Sequence, residues 1–322
     1  MVLSVGDDPT RAETELLERM WPGPDRLSVT VETPLRKLSE NLQPRDWLKV
    51  AAATRKLIEE TNVAGVVILH GTDTMAYTAA ALSFLLSDLE RPIVLTGSNL
   101  PSGEEGSDAE HNVHTALVAL QELDTGVYVA FAGGRSLPGQ VFLGTRVRKL
   151  KASGTAFTSV NRAIVGEVND GYFNAGTLHH AETHERFKPA LDEHVLALRL
   201  YPGLDLELAL NAVKHCHIRG VVVELYASAT GPDTDDRFSL PRFIKGCTEH
   251  DIVVATAVSE APAIESKTYE TTLAINEAGG LFLRDMTPEA ATVKLMWALG
   301  QTSDVDLVQR LLLRPIAGEL EP

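Results

Sequence analysis

The spacing of apolar residues alternates along the first half of the chain, which predicts alternating helices and strands. After Pro44, which suits a first helical turn, apolar side chains recur at the spacing of one helical face. A continuous apolar run over 63–69 then predicts a strand covered on both faces. The alternation continues with a helix over 74–86, a strand over 92–96, a helix over 109–123 and a strand over 127–131. Repeated β-α-β units are typical of a parallel sheet with helices on both faces.

Polar and glycine-rich residues follow three of these predicted strands. Thr72 and Asp73 follow the first, Gly97 and Ser98 follow the second, and a pair of glycines follows the third. Ligands of open α/β sheets bind outside the carboxyl ends of the strands. The sequence therefore predicts a ligand site at this edge of the sheet.

The polarity of the chain changes between residues 175 and 193, where the sequence is rich in histidine and glutamate and lacks apolar periodicity. We place a linker at 183–193, between an N-terminal α/β domain (1–182) and a smaller C-terminal α/β domain (194–322). The second domain is predicted to contain strands over 194–199, 220–225 and 252–256, with helices near 203–215 and 287–300. Thr287 and Pro288 suit the cap and first turn of the last helix.

Composition excludes several classes of protein. A net charge of −15 argues against a nucleic-acid partner, which is usually bound through a basic surface. Cys216 and Cys247 are too few for a disulfide framework and lack the spacing of metal ligands. The chain shows neither a signal-peptide pattern nor an apolar run near the ~20 residues of a membrane span. We expect a cytoplasmic protein without a metal or cofactor, and we interpret His179, His180 and His184 as a solvated part of the linker.

Thr72 and Asp73 place a hydroxyl beside a carboxylate at a strand-to-helix turn. Helix caps use the same residue types, so capping is the alternative reading. A threonine hydroxyl is a weak nucleophile and requires a base or a cation beside it. Lys149 is a candidate for either role. It belongs to a basic cluster with Arg146, Arg148 and Lys151, for which a solvated loop is the alternative.

Four ordered segments of the chain resemble the bacterial-type L-asparaginases. They are HGTDTMAYTAAALSFLL at 70–86; PIVLTGS at 92–98, with Ser107, Asp108 and Asn112 downstream; GTRVRKL at 144–150, with AFTSVN at 156–161; and GGLFLRDMT with ATVKLMWALG within 279–300. The resemblance spans nearly the whole chain. It extends to the cytoplasmic type I enzymes and to the asparaginase-like subunit of the archaeal tRNA-dependent amidotransferase.

The resemblance implies roles for individual residues. Thr72, Asp73 and Lys149 match the family's second catalytic group, which acts at a side-chain amide. Ser39 and Glu40 match the residues that hold the α-carboxylate and α-ammonium of the substrate. Ser98 matches a small residue at the wall of the family's substrate pocket. The alternative role for Ser98 is to cap the end of its strand.

The implied function is hydrolysis of L-asparagine to L-aspartate and ammonia, by a dimer or tetramer in which a neighbour's C-terminal domain completes each site. Two alternatives remain open. The basic GTRVRKLK segment is the motive for an ammonia-generating subunit of a tRNA-dependent amidotransferase. The other alternative is a non-catalytic amino-acid-binding homologue.

The chain departs from the family at two places. Family members open with a strand and a Thr-Gly-Gly-Thr-Ile type turn that carries the first catalytic threonine, and no such motif occurs here. We therefore expect the first strand and that threonine to be absent, and Ser4 is out of place as a substitute. Either the start is assigned too late or the homologue is divergent, and we favour the first explanation. Residues 224–232 also depart from the glycine-rich turn of relatives.

Overall fold

The computed structural model describes residues 2–5, 29–134, 137–151, 156–159, 164–176, 185–259 and 270–321. The chain divides into two units, Met1–Phe187 and Lys188–Pro322. The linker that we place at 183–193 stays a prediction. The three histidines assigned to it, His179, His180 and His184, lie outside the described residues.

The N-terminal unit contains one large mixed sheet and a separate hairpin. Its strands are β1 (Val2–Val5), β2 (Val31–Leu35), β3 (Val66–His70), β4 (Pro92–Thr96), β5 (Gly126–Ala132), β6 (Gly139–Leu143), β7 (Val147–Lys149), β8 (Phe157–Ser159), β9 (Gly166–Asn169) and β10 (Tyr172–Ala175). Eight strands form the sheet in the order β10-β9-β6-β5-β4-β3-β1-β2, and β7 pairs with β8. The pairs from β2 through β5 are parallel, whereas those from β5 through β10 are antiparallel.

In the described part of the N-terminal unit, three helices cover this sheet: α1 (Pro44–Glu60), α2 (Met75–Leu85) and α3 (Ala109–Glu122). Ten of the eleven residues of α2 are buried, so this helix is apolar on every side, as a core helix should be. The central strands β3 and β4 are likewise buried along nearly their whole length. The predicted α/β class is therefore confirmed, and each predicted element of this region lies within a few residues of its observed bounds.

The expectation that the first strand is absent is wrong. Val2–Val5 forms β1, which lies between β2 and β3 and is parallel to both, with Val5 level with His70. Four residues suffice here because both neighbouring strands supply backbone hydrogen bonds to a central strand. Residues 6–28 lie outside the described residues. The expected absence of a first catalytic threonine thus stays a prediction.

The C-terminal unit has a four-stranded parallel sheet in the order β11-β12-β13-β14. The strands are β11 (Val195–Arg199), β12 (Gly220–Glu224), β13 (Val253–Ala257) and β14 (Leu281–Phe282). The helices are α4 (Leu206–His215), α5 (Leu240–Thr248), α6 (Glu270–Glu277), α7 (Pro288–Gln301) and α8 (Val305–Leu313). Thr287 caps α7 as predicted, because its Oγ1 accepts a hydrogen bond of 3.0 Å from the Ala290 amide.

The turn after β12 shows what the second departure from the family does locally. Ala229 lies there with φ of 56°, in the left-handed region that favours glycine, and its side chain is buried. The chain therefore keeps a backbone conformation suited to glycine while carrying a side chain at that position.

A buried ion pair holds the last described residues of the C-terminal unit. Lys294, on α7, and Glu319 are both fully buried, and the Lys294 ammonium donates to the Glu319 carboxylate. The ammonium also donates to the carbonyl oxygens of Leu312 and Arg314, at 3.0 and 2.6 Å. Burial lowers the pKa of Lys294 from its ordinary value. Because the two charges are each other's partners, removal of either one would leave an uncompensated charge in the core.

We predict that Lys294→Met lowers the free energy of unfolding of the C-terminal unit by about 3–5 kcal/mol, because the Glu319 carboxylate would stay buried without its cation. Urea unfolding measures this loss. The matched control is Arg237→Met, which removes a pair with Asp205 whose side chains are 61% and 32% exposed. It should cost no more than about 1 kcal/mol. Equal losses in the two variants would contradict the prediction.

Candidate active site

Three of the predicted site residues form one hydrogen-bonded group at the carboxyl edge of the sheet. The Lys149 Nζ donates to Thr72 Oγ1 at 2.6 Å and to Asp73 Oδ1 at 2.6 Å. The Lys149 side chain is 16% exposed, whereas that of Asp73 is 65% exposed. A hydroxyl therefore lies between a largely covered cation and a surface that solvent or a ligand can reach.

The hairpin of β7 and β8 places Lys149 in this group. Lys149 is the last residue of β7 and pairs with Phe157, whose ring packs edge-on against that of Phe131, in β5, at 4.9 Å. Arg146, just before β7, is only 3% exposed. The alternative of a solvated basic loop is thus wrong for most of the cluster, of which Lys151 is the exposed member.

Ser39 and Glu40 lie beside the same turn. A Cβ added to Gly71 would lie 2.6 Å from Ser39 Oγ, so only glycine allows this approach. Thr74 Oγ1 donates to the Ser39 carbonyl at 2.7 Å, which ties the start of α2 to the 3₁₀ turn Ser39–Asn41. Ser39 is buried and Glu40 is exposed. Ser39, with Glu40 as its chain neighbour, therefore lies beside the turn that carries Thr72.

Ser98 lies on the neighbouring strand end, half-buried, rather than among the described residues that contact Lys149. The loop that carries it is held by the buried side chain of Asn112, in the first turn of α3. Asn112 Nδ2 donates to the Gly97 carbonyl at 2.8 Å, and its Oδ1 accepts from the Ala132 amide at 2.8 Å. Asp108 in turn accepts from Asn112 Nδ2 at 3.1 Å. This amide joins the carboxyl ends of β4 and β5.

His70 lies beneath the turn and is not among the site residues predicted from the sequence. It is the last residue of β3 and is 4% exposed. Its Nδ1 lies 2.6 Å from the Gly71 carbonyl oxygen, and its Nε2 lies 2.9 Å from Thr78 Oγ1. Burial lowers the pKa of the imidazole to about 4, so it is neutral near pH 7. Its one sequence signal is Thr78, a polar residue within the apolar helix α2.

Within the part of the chain that the structure describes, no helix is long and apolar enough to cross a membrane. Among the same residues, no group of three or more His, Cys, Asp or Glu side chains is arranged to hold a metal ion. Cys216 and Cys247 are both free thiols.

Comparison with known families assigns both units. The family model for "Asparaginase, N-terminal" matches residues 5–178, and the model for "Glutaminase/Asparaginase C-terminal domain" matches residues 194–312. Together with the fold described above, these matches define an α/β amidohydrolase. The chain belongs to the asparaginase family.

Individual relatives agree with this assignment. The L-asparaginase of Thermococcus kodakarensis is 36% identical over 281 residues, which cover 87% of this chain and 82% of that protein. A solved structure of the thermostable L-asparaginase from the same organism has a TM-score of 0.85 at 32% identity, covering 100% of this chain and 98% of that one. A subunit of the glutamyl-tRNA(Gln) amidotransferase of Sulfolobus acidocaldarius is 31% identical over 321 residues, 97% of this chain and 70% of that relative.

The buried imidazole predicts a pH dependence of stability. The pKa of His70 is about 4 in the folded chain against an ordinary value of 6.5. Between pH 4 and pH 6.5 the unfolded chain binds a proton at His70 that the folded chain does not bind. The contribution of the neutral, buried imidazole to the free energy of unfolding is therefore complete above pH 6.5 and is lost as the pH falls through about 4. We therefore predict that the difference in free energy of unfolding between the native chain and His70→Gln shrinks by about 3 kcal/mol from pH 7 to pH 4.

Urea unfolding at a series of pH values measures that difference. Thr54→Val is the control, because Thr54 is a buried helical threonine whose hydroxyl donates to the Val50 carbonyl of its own helix. The difference for Thr54→Val should stay constant over the same range. A constant difference for His70→Gln as well would contradict the prediction.

Proposed function

We propose that this chain hydrolyses the side-chain amide of L-asparagine to L-aspartate and ammonia. The observation that carries the proposal is the position of the Lys149 ammonium, 2.6 Å from both Thr72 Oγ1 and Asp73 Oδ1. A threonine hydroxyl becomes a useful nucleophile only beside a group that favours loss of its proton. The match to an L-asparaginase over 87% of this chain gives independent support.

Thr72 is the nucleophile in this proposal. The Lys149 ammonium stabilises the alkoxide that develops at Oγ1, and Asp73 orients the ammonium through the second hydrogen bond. Oγ1 attacks the amide carbonyl carbon, the C–N bond breaks, and the nitrogen leaves as ammonia with the proton lost by the hydroxyl. Water then hydrolyses the acyl-threonine ester, which releases L-aspartate and restores the hydroxyl.

The remaining residues bind the substrate in this proposal. Ser39 and Glu40 hold the α-carboxylate and the α-ammonium, and the close packing of Ser39 on Gly71 keeps Ser39 beside the turn that carries Thr72. The exposed Asp73 carboxylate can accept from the same α-ammonium while its Oδ1 holds Lys149. Ser98 forms part of the wall of the pocket.

The proposal includes a cellular setting. We propose a cytoplasmic homo-oligomer, a dimer or a tetramer, that acts on a small amino-acid amide without a metal or a cofactor. Thr72, Lys149 and Asp73 supply the nucleophile and the two charges that the proposed chemistry uses. The net charge of −15 also favours a small-molecule substrate over a nucleic acid.

Ammonia release from L-asparagine tests the proposal directly. We predict that Thr72→Val lowers kcat at least about 100-fold, because it removes the attacking oxygen. Thr54→Val is the matched control and should keep activity, since the Thr54 hydroxyl bonds within α1. If the native chain releases no ammonia from asparagine, glutamine or small amides, or if Thr72→Val changes nothing, the proposal is wrong. Stabilisation by L-aspartate without turnover would indicate a non-catalytic amino-acid-binding homologue instead.

A second candidate function is that of an ammonia-generating subunit of a tRNA-dependent amidotransferase. The observation that favours it is the 31% identity with a glutamyl-tRNA(Gln) amidotransferase subunit across 97% of this chain. Against it, the basic segment that suggested an RNA partner exposes little of its charge, because Arg146 is only 3% exposed, Arg148 and Lys149 are half-buried, and Lys151 alone of its four basic residues is exposed.

Coupling to tRNA distinguishes the two functions. For an amidotransferase subunit, ammonia release from glutamine should rise at least about tenfold when the remaining amidotransferase subunits and glutamyl-tRNA(Gln) are added. For a free-standing amidohydrolase, we predict full activity with asparagine and no change on this addition. Uncharged tRNA is the control. A rise with charged tRNA only would favour the second candidate.

A further inference from the structure

The chemistry proposed above makes no use of a buried imidazole that touches the turn carrying Thr72. His70 is 4% exposed, and both of its ring nitrogens have partners inside the protein. Burial of a polar ring is costly unless its nitrogens are hydrogen-bonded, and these two bonds meet that requirement.

The two partners fix the tautomer of the ring. The Gly71 carbonyl oxygen can only accept, so the nitrogen 2.6 Å from it, Nδ1, carries the proton. Nε2 is then the acceptor and takes the proton of the Thr78 hydroxyl at 2.9 Å. Thr78 is itself fixed in α2, where its amide donates to the Thr74 carbonyl at 3.1 Å. The imidazole therefore connects a rigid helix to the Gly71 carbonyl.

Holding the Gly71 carbonyl also orients Thr72. The carbonyl of Gly71 and the amide of Thr72 belong to one planar peptide unit, so fixing one end fixes the plane that leads into the Thr72 Cα. The adjacent strand end restricts movement too, because a Cβ added to Gly97 would lie 2.2 Å from the His70 carbonyl oxygen. The backbone around the turn has little room to rotate.

We propose that His70 is a positioning residue for Thr72: through its Nδ1–H bond to the Gly71 carbonyl it sets the Gly71–Thr72 peptide so that Oγ1 meets the Lys149 ammonium. This inference rests on the proposed function, in which Thr72 attacks the amide. A displacement of about 1 Å of an attacking group costs on the order of 100-fold in rate. The bond to Gly71, rather than mere filling of the space, is the functional part.

Two isosteric variants separate the two hydrogen bonds. The side-chain amide nitrogen of His70→Asn stands where Nδ1 stood and can still donate to Gly71. The side-chain amide of His70→Gln reaches the position of Nε2 and can still bond to Thr78. We expect His70→Asn to keep kcat for asparagine within about threefold, and His70→Gln to lower kcat about 10- to 100-fold with KM changed less than about threefold.

A structural readout accompanies the kinetics. Crystal structures of both variants should show the Lys149 Nζ to Thr72 Oγ1 contact kept in His70→Asn and lengthened beyond hydrogen-bonding distance in His70→Gln. Thr78→Val removes the hydroxyl that donates to Nε2. Its control is Thr54→Val, which changes another buried helical threonine. We expect Thr78→Val to lower the free energy of unfolding by more than it raises the activation free energy that corresponds to kcat. A purely structural role for His70 would make the Asn and Gln variants equal in kcat.

Failure of this inference differs from failure of the proposed function. If the native chain turns over asparagine and the two His70 variants have equal kcat, the positioning role is wrong and the amide chemistry stands. If the native chain is inactive, the crystal structures alone decide. An unchanged contact between Lys149 and Thr72 in His70→Gln overturns the inference, and its loss in that variant but not in His70→Asn supports it.

Discussion

The contact between the Lys149 ammonium and the Thr72 hydroxyl joins two parts of the chain 77 residues apart. Each partner comes from a different kind of element. Thr72 belongs to the turn that follows β3, and Lys149 ends β7, the first strand of a two-stranded hairpin that lies outside the main sheet. The site exists only because both elements end at the same edge. The close packing of Gly71 on Ser39 and the hydrogen bond from Thr74 Oγ1 to the Ser39 carbonyl hold the turn in place.

Elements covered on both faces were predictable because burial leaves a direct mark on the sequence. The continuous apolar runs of β3 and β4 and the apolar helix α2 follow from the need to remove their side chains from water. The strand Val2–Val5 was wrongly expected to be absent, because the turn motif that follows this strand in the family is missing from the sequence. Four residues are too few to show a periodicity that identifies a strand. Val2–Val5 is a strand because it pairs with β2 and β3, and no local sequence pattern encodes that pairing.

The candidate site divides in the same way. Thr72 and Asp73 could be placed at the edge because they directly follow a predictable strand. The positions of Lys149 and Arg146 depend on a hairpin anchored by the ring contact of Phe157 with Phe131, which is a long-range event. His70 and Asn112 read as ordinary polar residues, and their bonds to the Gly71 and Gly97 carbonyls exist only in the folded chain. Sequence spacing carries no information on such bonds.

A crystal structure of the native chain with L-aspartate bound tests the central claim most directly, because the reaction product should occupy the site without further turnover. The account predicts the side-chain carboxylate of the ligand within hydrogen-bonding distance of Thr72 Oγ1, with Lys149 still in contact with that oxygen and the α-carboxylate at Ser39. L-aspartate bound elsewhere on the chain, or Lys149 turned away from Thr72 in the complex, would contradict it.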